Sequence, residues 1–268
     1  MSTLETKLRS AVIVARARTV LEGAGVPILR ALPSRNVPYE MVDPFLLLDE
    51  GRLRVTRETA NFPVHPHRGF EIVTYSLRGP LAQSQFADGK EERASVSEGG
   101  LLRITAGRGM SHGEGSSGDE LPPGGQEVRI LQLWINLPRS EKGIDPSYQT
   151  VEPAAIPEQT LGKARVRLLV GDGSPTQLRT RAMYLDVDLP AGESATVPVS
   201  EGWQGYAYLL EGAGSFGASS HQASAGELVV LGPGAAFPVA AGEKGVRFVL
   251  AAGLPHGETP RWNGPYVD

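Results

Sequence analysis

Short apolar runs bounded by turn-forming residues recur along almost the entire chain. In the first half they include AVIVARARTV, GVPILRAL, DPFLLLDEG, FEIVTYSLRG and EVRILQLWINLP. In the second half they include RVRLLVG, RAMYLDVDLP, GYAYLLEG, GELVVLG and VRFVLAAG. Gly, Pro or Asp ends or closely follows each run, as in strands that are joined by turns. The pattern predicts an all-β protein made of successive antiparallel strands.

The strand pattern is interrupted between residues 138 and 165, where four prolines and many charges stand without periodicity. This composition is typical of a linker, and a chain of 268 residues suits two domains. We therefore predict an N-terminal domain at residues 1–145 and a C-terminal domain at residues 146–268. The final segment LPHGETPRWNGPYVD should pack back on another surface, because its aromatic side chains need covering. A short helix is predicted at residues 2–9.

The amino-acid composition excludes several classes of site. With no cysteine, a metal ion would have to be held by nitrogen and oxygen ligands. The net charge of −4 and the scattered Lys and Arg residues give no footprint for direct nucleic-acid binding. The apolar stretch AVIVA near the start is too short for a secretion signal or a membrane span. We expect a cytoplasmic protein without a membrane segment.

Two of the five histidines stand one residue apart in NFPVHPHRGFE. Side chains two positions apart in a strand leave the same face, with backbone positions about 6.6 Å apart. His65 and His67 therefore point the same way and can share one divalent ion at about 2.0–2.2 Å from each nitrogen. By itself, a His-x-His pair is also a common accident of protein surfaces.

The segment GRGMSHGEG repeats this spacing with His112 and Glu114. An antiparallel strand that places this pair near the first would complete a set of three nitrogens and one carboxylate oxygen. Glu71 has the parity of both upstream histidines and is a second candidate carboxylate. Its alternative role is an ion pair with Arg68 or Arg103.

The two halves share a weak internal repeat. FEIVTYSLRG aligns with GYAYLLEG, and LLRITAGRGMSH aligns with ELVVLGPGAAF. On this alignment, the four candidate ligands of the first half stand opposite Pro198, Ser200, Phe237 and Val239. The second half is thus predicted to lack a metal site.

Other polar and aromatic positions have simpler interpretations. His221 and His256 lie in turn-like sequence and are expected to be solvated. Trp134 alternates with apolar positions in LQLWINLP, which favours core packing over a substrate-facing role. The Gly- and Pro-rich segment 113–126 is either a lid over the site or a plain connection.

Five segments, HPHRGFE, TAGRGMSHGE, LQLWINLP, PSYQ and ETPRWNGPYV, together resemble the pirin family of the cupin superfamily. The resemblance covers nearly the whole chain. It implies a bicupin of two stacked antiparallel β-barrels, with an iron-type ion in the N-terminal barrel and no metal in the C-terminal barrel.

Within this resemblance, the metal ligands of the family fall on His65, His67, His112 and Glu114, which leaves Glu71 in an outer position. The segment PLAQSQFADG departs from relatives that are richer in His and acids there, and Gly113 separates two of the ligands. Both departures concern substrate preference.

The resemblance implies a dioxygenase similar to quercetin 2,3-dioxygenase, which would cleave a flavonol-like enol or phenol with dioxygen at one Fe(II). Ni, Cu, Mn and Zn suit the same ligands. Glu114 would take the proton of the substrate hydroxyl. One alternative is a metal-binding regulatory protein that docks onto a transcription factor or a metabolic enzyme without turnover. Another is a structural zinc, closed by four protein ligands.

Overall fold

The computed structural model describes residues 7–23, 25–56, 61–115 and 121–268. The strands, in chain order, are β1 (Ala11–Arg16), β2 (Arg18–Glu22), β3 (Val26–Leu32), β4 (Phe45–Val55), β5 (Asn61–His67), β6 (Phe70–Arg78), β7 (Leu81–Ala87), β8 (Lys90–Val96), β9 (Leu101–Thr105), β10 (Met110–Gly115), β11 (Gln126–Asn136), β12 (Ser147–Val151), β13 (Glu158–Leu161), β14 (Ala164–Val170), β15 (Ala182–Leu189), β16 (Ser194–Pro198), β17 (Gln204–Phe216), β18 (His221–Ser224), β19 (Glu227–Leu231), β20 (Ala236–Gly253), β21 (Trp262–Asn263) and β22 (Tyr266–Val267). Single 3-10 turns lie at Tyr39–Met41, Arg139–Glu141 and Pro153–Ala155.

The strands form two antiparallel β-sandwich halves of the cupin type, which confirms the predicted bicupin fold. The N-terminal half has a seven-stranded sheet in the order β12-β9-β6-β11-β4-β3-β2 and a four-stranded sheet in the order β5-β10-β7-β8. The C-terminal half is one nine-stranded sheet that contains β1 and β13 to β20. The predicted barrels are open in the structure. The sheets of each half do not close completely, so each half is a β-sandwich of the cupin type. No helix within the described ranges is long and apolar enough to cross a membrane.

Period-2 alternation decides which core each side chain enters. On β6, Val73 and Tyr75 belong to a cluster shared by both halves, whereas Ile72 belongs to the interior of the N-terminal half. On β20, Val249 enters the shared cluster and Phe248 the interior of the C-terminal half. These strands read as continuous apolar runs because both of their faces are covered.

A buried polar network crosses the interface between the halves. The Tyr208 hydroxyl of β17 donates to Glu50 Oε2 of β4 at 2.7 Å, and Arg129 Nε of β11 donates to Glu50 Oε1 at 2.7 Å. Glu50 is almost fully buried. Charge-assisted hydrogen bonds therefore hold the two halves in a fixed relation.

A second network repeats this arrangement with the halves exchanged. Tyr75 of β6 donates to Asp186 Oδ2 of β15 at 2.8 Å, and Arg247 of β20 binds both Asp186 oxygens at 3.0 and 2.7 Å. The tyrosines occupy equivalent positions when FEIVTYSLRG is aligned with GYAYLLEG. The internal repeat thus appears in the structure as a pseudo-two-fold interface.

Each half takes a segment from the other side of the predicted domain boundary. β1 pairs with β19 in the C-terminal sheet, and β12 pairs with β9 in the N-terminal sheet. The stretch 138–165, expected to be a linker, therefore contains β12 and β13. The helix predicted at residues 2–9 lies mostly outside the described residues, and Leu8 forms an isolated β-bridge with Ala236.

Candidate metal centre

Three histidines converge inside the N-terminal half. β5 and β10 pair antiparallel, with His65 opposite His112 and His67 opposite Met110. The ring centroids are 4.7 Å apart for His65 and His67, 4.5 Å for His65 and His112, and 4.9 Å for His67 and His112. One nitrogen from each ring lies within 4.8 Å of the other two. His67 is 2% exposed and His112 is fully buried.

The hydrogen bonding of these rings fits a bound cation. The Nε2 atoms of His67 and His112 lie 3.0 Å apart, and the Nδ1 atom of each ring is buried without a partner in the described structure. Buried polar atoms are normally satisfied. His65 Nδ1 lies 2.8 Å from the Pro63 carbonyl, which fixes that ring when Nδ1 carries the proton. A cation among the three rings would bind these ring nitrogens in the tautomers that leave their lone pairs free.

The two inner rings are held neutral, which is the form that binds metal. Burial, and then repulsion from a charge on His65, lowers the pKa of His67 to about 3. The Pro265 carbonyl opposes this shift but makes no well-formed hydrogen bond to the ring. Burial also lowers the pKa of His112 well below its ordinary value, with charge repulsion from His67 and His65 acting in the same direction.

Glu114 lies on the wall of the same cavity but outside the group of three mutually close ligand atoms. A β-bulge between His112 and Glu114 shifts its register against β5. Gln132 Nε2 and Gln83 Nε2 donate to its Oε1 at 2.8 and 3.2 Å. Burial raises the pKa of Glu114 to about 7, although the hydrogen bond from Gln132 opposes the shift.

Glu71 does not belong to this group. It is fully buried on β6, where Oε1 accepts from the Thr105 hydroxyl at 2.8 Å. Its Oε2 accepts from the backbone N–H groups of Arg179 and Thr180 at 3.0 and 3.4 Å. Burial raises its pKa despite these hydrogen bonds. The expectation that Glu71 faces the histidines or forms an ion pair is wrong, since this carboxylate connects the two halves.

The histidines and Glu114 border a cavity of about 390 Å³ with a largely apolar wall. Its side chains include Leu47, Leu53, Ile130, Trp134 and Trp262, together with the polar group Arg30, Asp49 and Glu22. Arg30 binds both oxygens of Asp49 at 2.9 and 2.7 Å and Glu22 at 2.7 Å. The volume lies in the range of small-molecule sites.

Two glutamines that bind Glu114 and part of the role of Trp134 were not predicted from the sequence. Trp134 is buried as expected, but it also lines the cavity, and its ring centroid lies 5.0 Å from that of His67. Its Nε1 donates to Gln132 Oε1 at 3.0 Å, and Gln132 in turn holds Glu114. The spacing of Gln132 and Trp134 in LQLWINLP was an available signal, since residues two apart share a face. No sequence pattern singled out Gln83.

The equivalent positions of the C-terminal half are apolar, but the predicted alignment of the first pair is off by one residue. On β16 and β20, Val197 lies opposite Phe237 as His65 lies opposite His112. The buried equivalents of the four candidate residues are therefore Val197, Val199, Phe237 and Val239.

The remaining predictions have mixed outcomes. His221 is exposed as expected. His256 is half-buried, with Nε2 3.3 Å from the Thr180 hydroxyl, so its prediction as a solvated residue is wrong. The centre of the predicted lid, residues 116–120, lies outside the described residues.

Fold and site together define a bicupin with one histidine cluster in its N-terminal half. A sequence model of the pirin family matches residues 26–135, and a model of the pirin C-terminal cupin domain matches residues 184–268. A pirin-like protein of Solanum lycopersicum is 38% identical over 273 residues, covering 100% of this chain and 89% of that protein. Human pirin is 33% identical over 259 residues, covering 94% and 84%. The chain belongs to the pirin family.

Solved structures agree with this assignment. A quercetin 2,3-dioxygenase from Acinetobacter baumannii superposes with a TM-score of 0.86 at 25% identity, covering 97% of this chain and 92% of that one. A nickel(II) complex of the Escherichia coli pirin YhhW gives a TM-score of 0.67 at 18% identity, covering 91% and 100%. The latter similarity concerns the fold. The buried histidine cluster is therefore a candidate metal site in a fold shared with an oxygenase.

Proposed function

We propose that this chain is a metal-dependent dioxygenase that cleaves a flavonol-like enol or phenol and incorporates both atoms of dioxygen. The ion is held by His65, His67 and His112, with Glu114 as fourth ligand or proton acceptor. Fe(II) is the leading candidate, and Ni, Cu, Mn and Zn suit the same donors. When bound, such an ion supplies a Lewis acid that polarises the substrate hydroxyl.

The observation that carries this proposal is the position of the three converging imidazoles beside a cavity with aromatic walls. Three histidine ligands leave coordination positions open, whereas structural sites are usually closed by protein ligands. The cavity wall offers Trp134 and Trp262 to an aromatic substrate. Similarity to the Acinetobacter baumannii enzyme supports the same reaction class.

The side chains around the ion have separate roles in this proposal. Gln132 and Gln83 fix Oε1 of Glu114 and leave Oε2 to accept the proton of the substrate hydroxyl. Trp134 orients Gln132 through its indole N–H. Together with the apolar wall, Trp134 also excludes water from the reacting oxygen.

The test is anaerobic loading with each of the five metals, followed by oxygen-uptake measurements with a flavonol. We expect one ion per chain and uptake with at least one metal. His112→Ala should lose the ion and the uptake, whereas His221→Ala should keep both because His221 is exposed and remote from the cluster.

Stoichiometric binding without uptake for any metal would refute the dioxygenase proposal. That result would instead favour the regulatory alternative, in which the metal-loaded protein docks onto a transcription factor or a metabolic enzyme. If His112→Ala loses the ion and also unfolds globally, that result would favour a structural ion.

A further inference from the structure

The last residues of the chain leave the C-terminal half and end on the N-terminal half. After β20 the chain crosses to the end of β5, where Tyr266 forms a parallel bridge with Arg68, the residue that follows this strand. Arg68 N–H donates to the Pro265 carbonyl at 3.2 Å, and Val267 N–H donates to the Arg68 carbonyl at 3.0 Å. β21 and β22 pair with each other as a short hairpin. We call residues 261–268 the C-terminal hairpin.

Several contacts fix this hairpin in place. Val267 is fully buried in the core of the N-terminal half. Lys142 Nζ donates to the Val267 carbonyl at 3.1 Å, and Arg68 forms a 2.7 Å ion pair with Asp268. Gly69 allows the close approach, since a Cβ there would lie 1.8 Å from the Val267 carbonyl oxygen. The hairpin is therefore an integral part of the N-terminal half.

The hairpin brings one large aromatic side chain to the candidate metal cavity. Trp262 lines the cavity with Gly264 and Pro265, yet its side chain remains 39% exposed. Its ring stacks on Trp134 at 6.1 Å with an interplanar angle of 26°. The indole N–H donates to the Gly264 carbonyl at 2.8 Å, which fixes the orientation of the ring. The Trp262 ring is thus a fixed aromatic surface at the cavity wall, and part of it remains exposed.

We propose that the C-terminal hairpin is the substrate-binding wall of the metal cavity and that Trp262 stacks on the planar ring of the substrate. This inference rests on the proposed function, because that function supplies the flat aromatic substrate. It gives the C-terminal half, whose equivalent positions are apolar, a part in the site, since the chain reaches the hairpin from β20 of that half. Trp262 determines substrate affinity, while the histidines hold the ion.

The test measures quercetin binding to nickel-loaded protein without oxygen, by isothermal titration calorimetry, together with metal content. Trp262→Ala should bind quercetin roughly tenfold more weakly, from lost stacking and lost apolar contact. Trp262→Phe should retain most of the affinity. The matched control is Trp203→Phe, which changes a partly buried tryptophan of the C-terminal half. Metal content should be equal in all four proteins.

In turnover assays, Trp262→Ala should raise KM more than it lowers kcat. Affinity equal to the wild type in Trp262→Ala would overturn this inference and leave the proposed function intact. Loss of the metal from Trp262→Ala would also overturn it, because the hairpin would then serve the ion and not the substrate. No quercetin binding by the wild type would overturn both proposals.

Discussion

The close approach of the C-terminal hairpin to Gly69 leads to a sharp prediction for Gly69→Ala. The backbone there has φ +88°, and an added Cβ would lie 1.8 Å from the Val267 carbonyl oxygen. Backbone atoms on both sides leave little room for adjustment. We expect the hairpin to leave its position while the two sandwiches stay folded.

The free energy that the clash costs in Gly69→Ala has an upper limit, because the hairpin can undock and relieve it. Undocking exposes Val267, worth roughly 1.5–3 kcal/mol of burial, and removes one of the three hydrogen bonds of Lys142 Nζ, worth about 1.5–3 kcal/mol. Backbone entropy recovered by the released residues offsets part of this contribution. Beyond the cost of the backbone conformation, we therefore expect a net loss below the roughly 3–6 kcal/mol that these two contacts contribute together.

Gly226→Ala isolates the cost of that conformation. Gly226 has φ +83°, close to the value at Gly69, but a Cβ there would meet no atom within 4 Å. Both substitutions carry the left-handed penalty of about 1–2 kcal/mol. The difference between their unfolding free energies therefore measures hairpin docking.

Urea denaturation measures this difference in unfolding free energy. Limited trypsin digestion shows whether the C-terminal hairpin is the part that loosens. Cleavage after Arg261 releases the segment that carries Trp262, which mass spectrometry detects. Gly69→Ala should be cut at this bond much faster than the wild type or Gly226→Ala, with quercetin affinity reduced as in Trp262→Ala. Equal stability and equal cleavage of the two alanine variants would refute the reasoning.

Three further predictions concern the interface and the ion. Arg247→Met should cost about 3–5 kcal/mol in urea denaturation, because it leaves the buried Asp186 carboxylate without its cation; a loss below 1 kcal/mol would contradict this. Burial tends to raise the pKa of Glu50, but hydrogen bonds, led by that of Arg52, hold it below the ordinary 4.5. The stability that Glu50 contributes is therefore complete above pH 4.5 and is lost as the pH falls through its lower folded pKa. On acidification from pH 5 to pH 3, Glu50→Gln should lose less stability in urea denaturation than the wild type. Equal losses in the two proteins would exclude this role of Glu50. His67→Ala should retain its circular dichroism spectrum but bind less than one tenth of the wild-type metal by elemental analysis; retention of a full equivalent would remove His67 from the ligand set.

The common face of His65 and His67 could be predicted from the sequence, whereas the position of Glu71 could not. Parity holds along one strand, and His65 and His67 both lie on β5. Gly69, with its positive φ, lies between β5 and β6 and lets the chain enter β6 in the other sheet. Counting parity from His67 to Glu71 across this turn was therefore invalid. The bulge before Glu114 shows the same limit, because a sequence does not mark where a register shifts.

The alternation of apolar and turn-forming residues by itself determined the all-β class and the repeated halves, because side-chain parity and turn preferences are local properties of the backbone. The pairs His65 and His67, and His112 and Glu114, were likewise visible as spacings. Tertiary structure alone decided that Glu71 bridges the halves, that Gln132 and Gln83 hold Glu114, and that Trp262 from the far end of the chain lines the cavity. These contacts join residues from different sheets and distant segments, and their distances depend on how the layers pack.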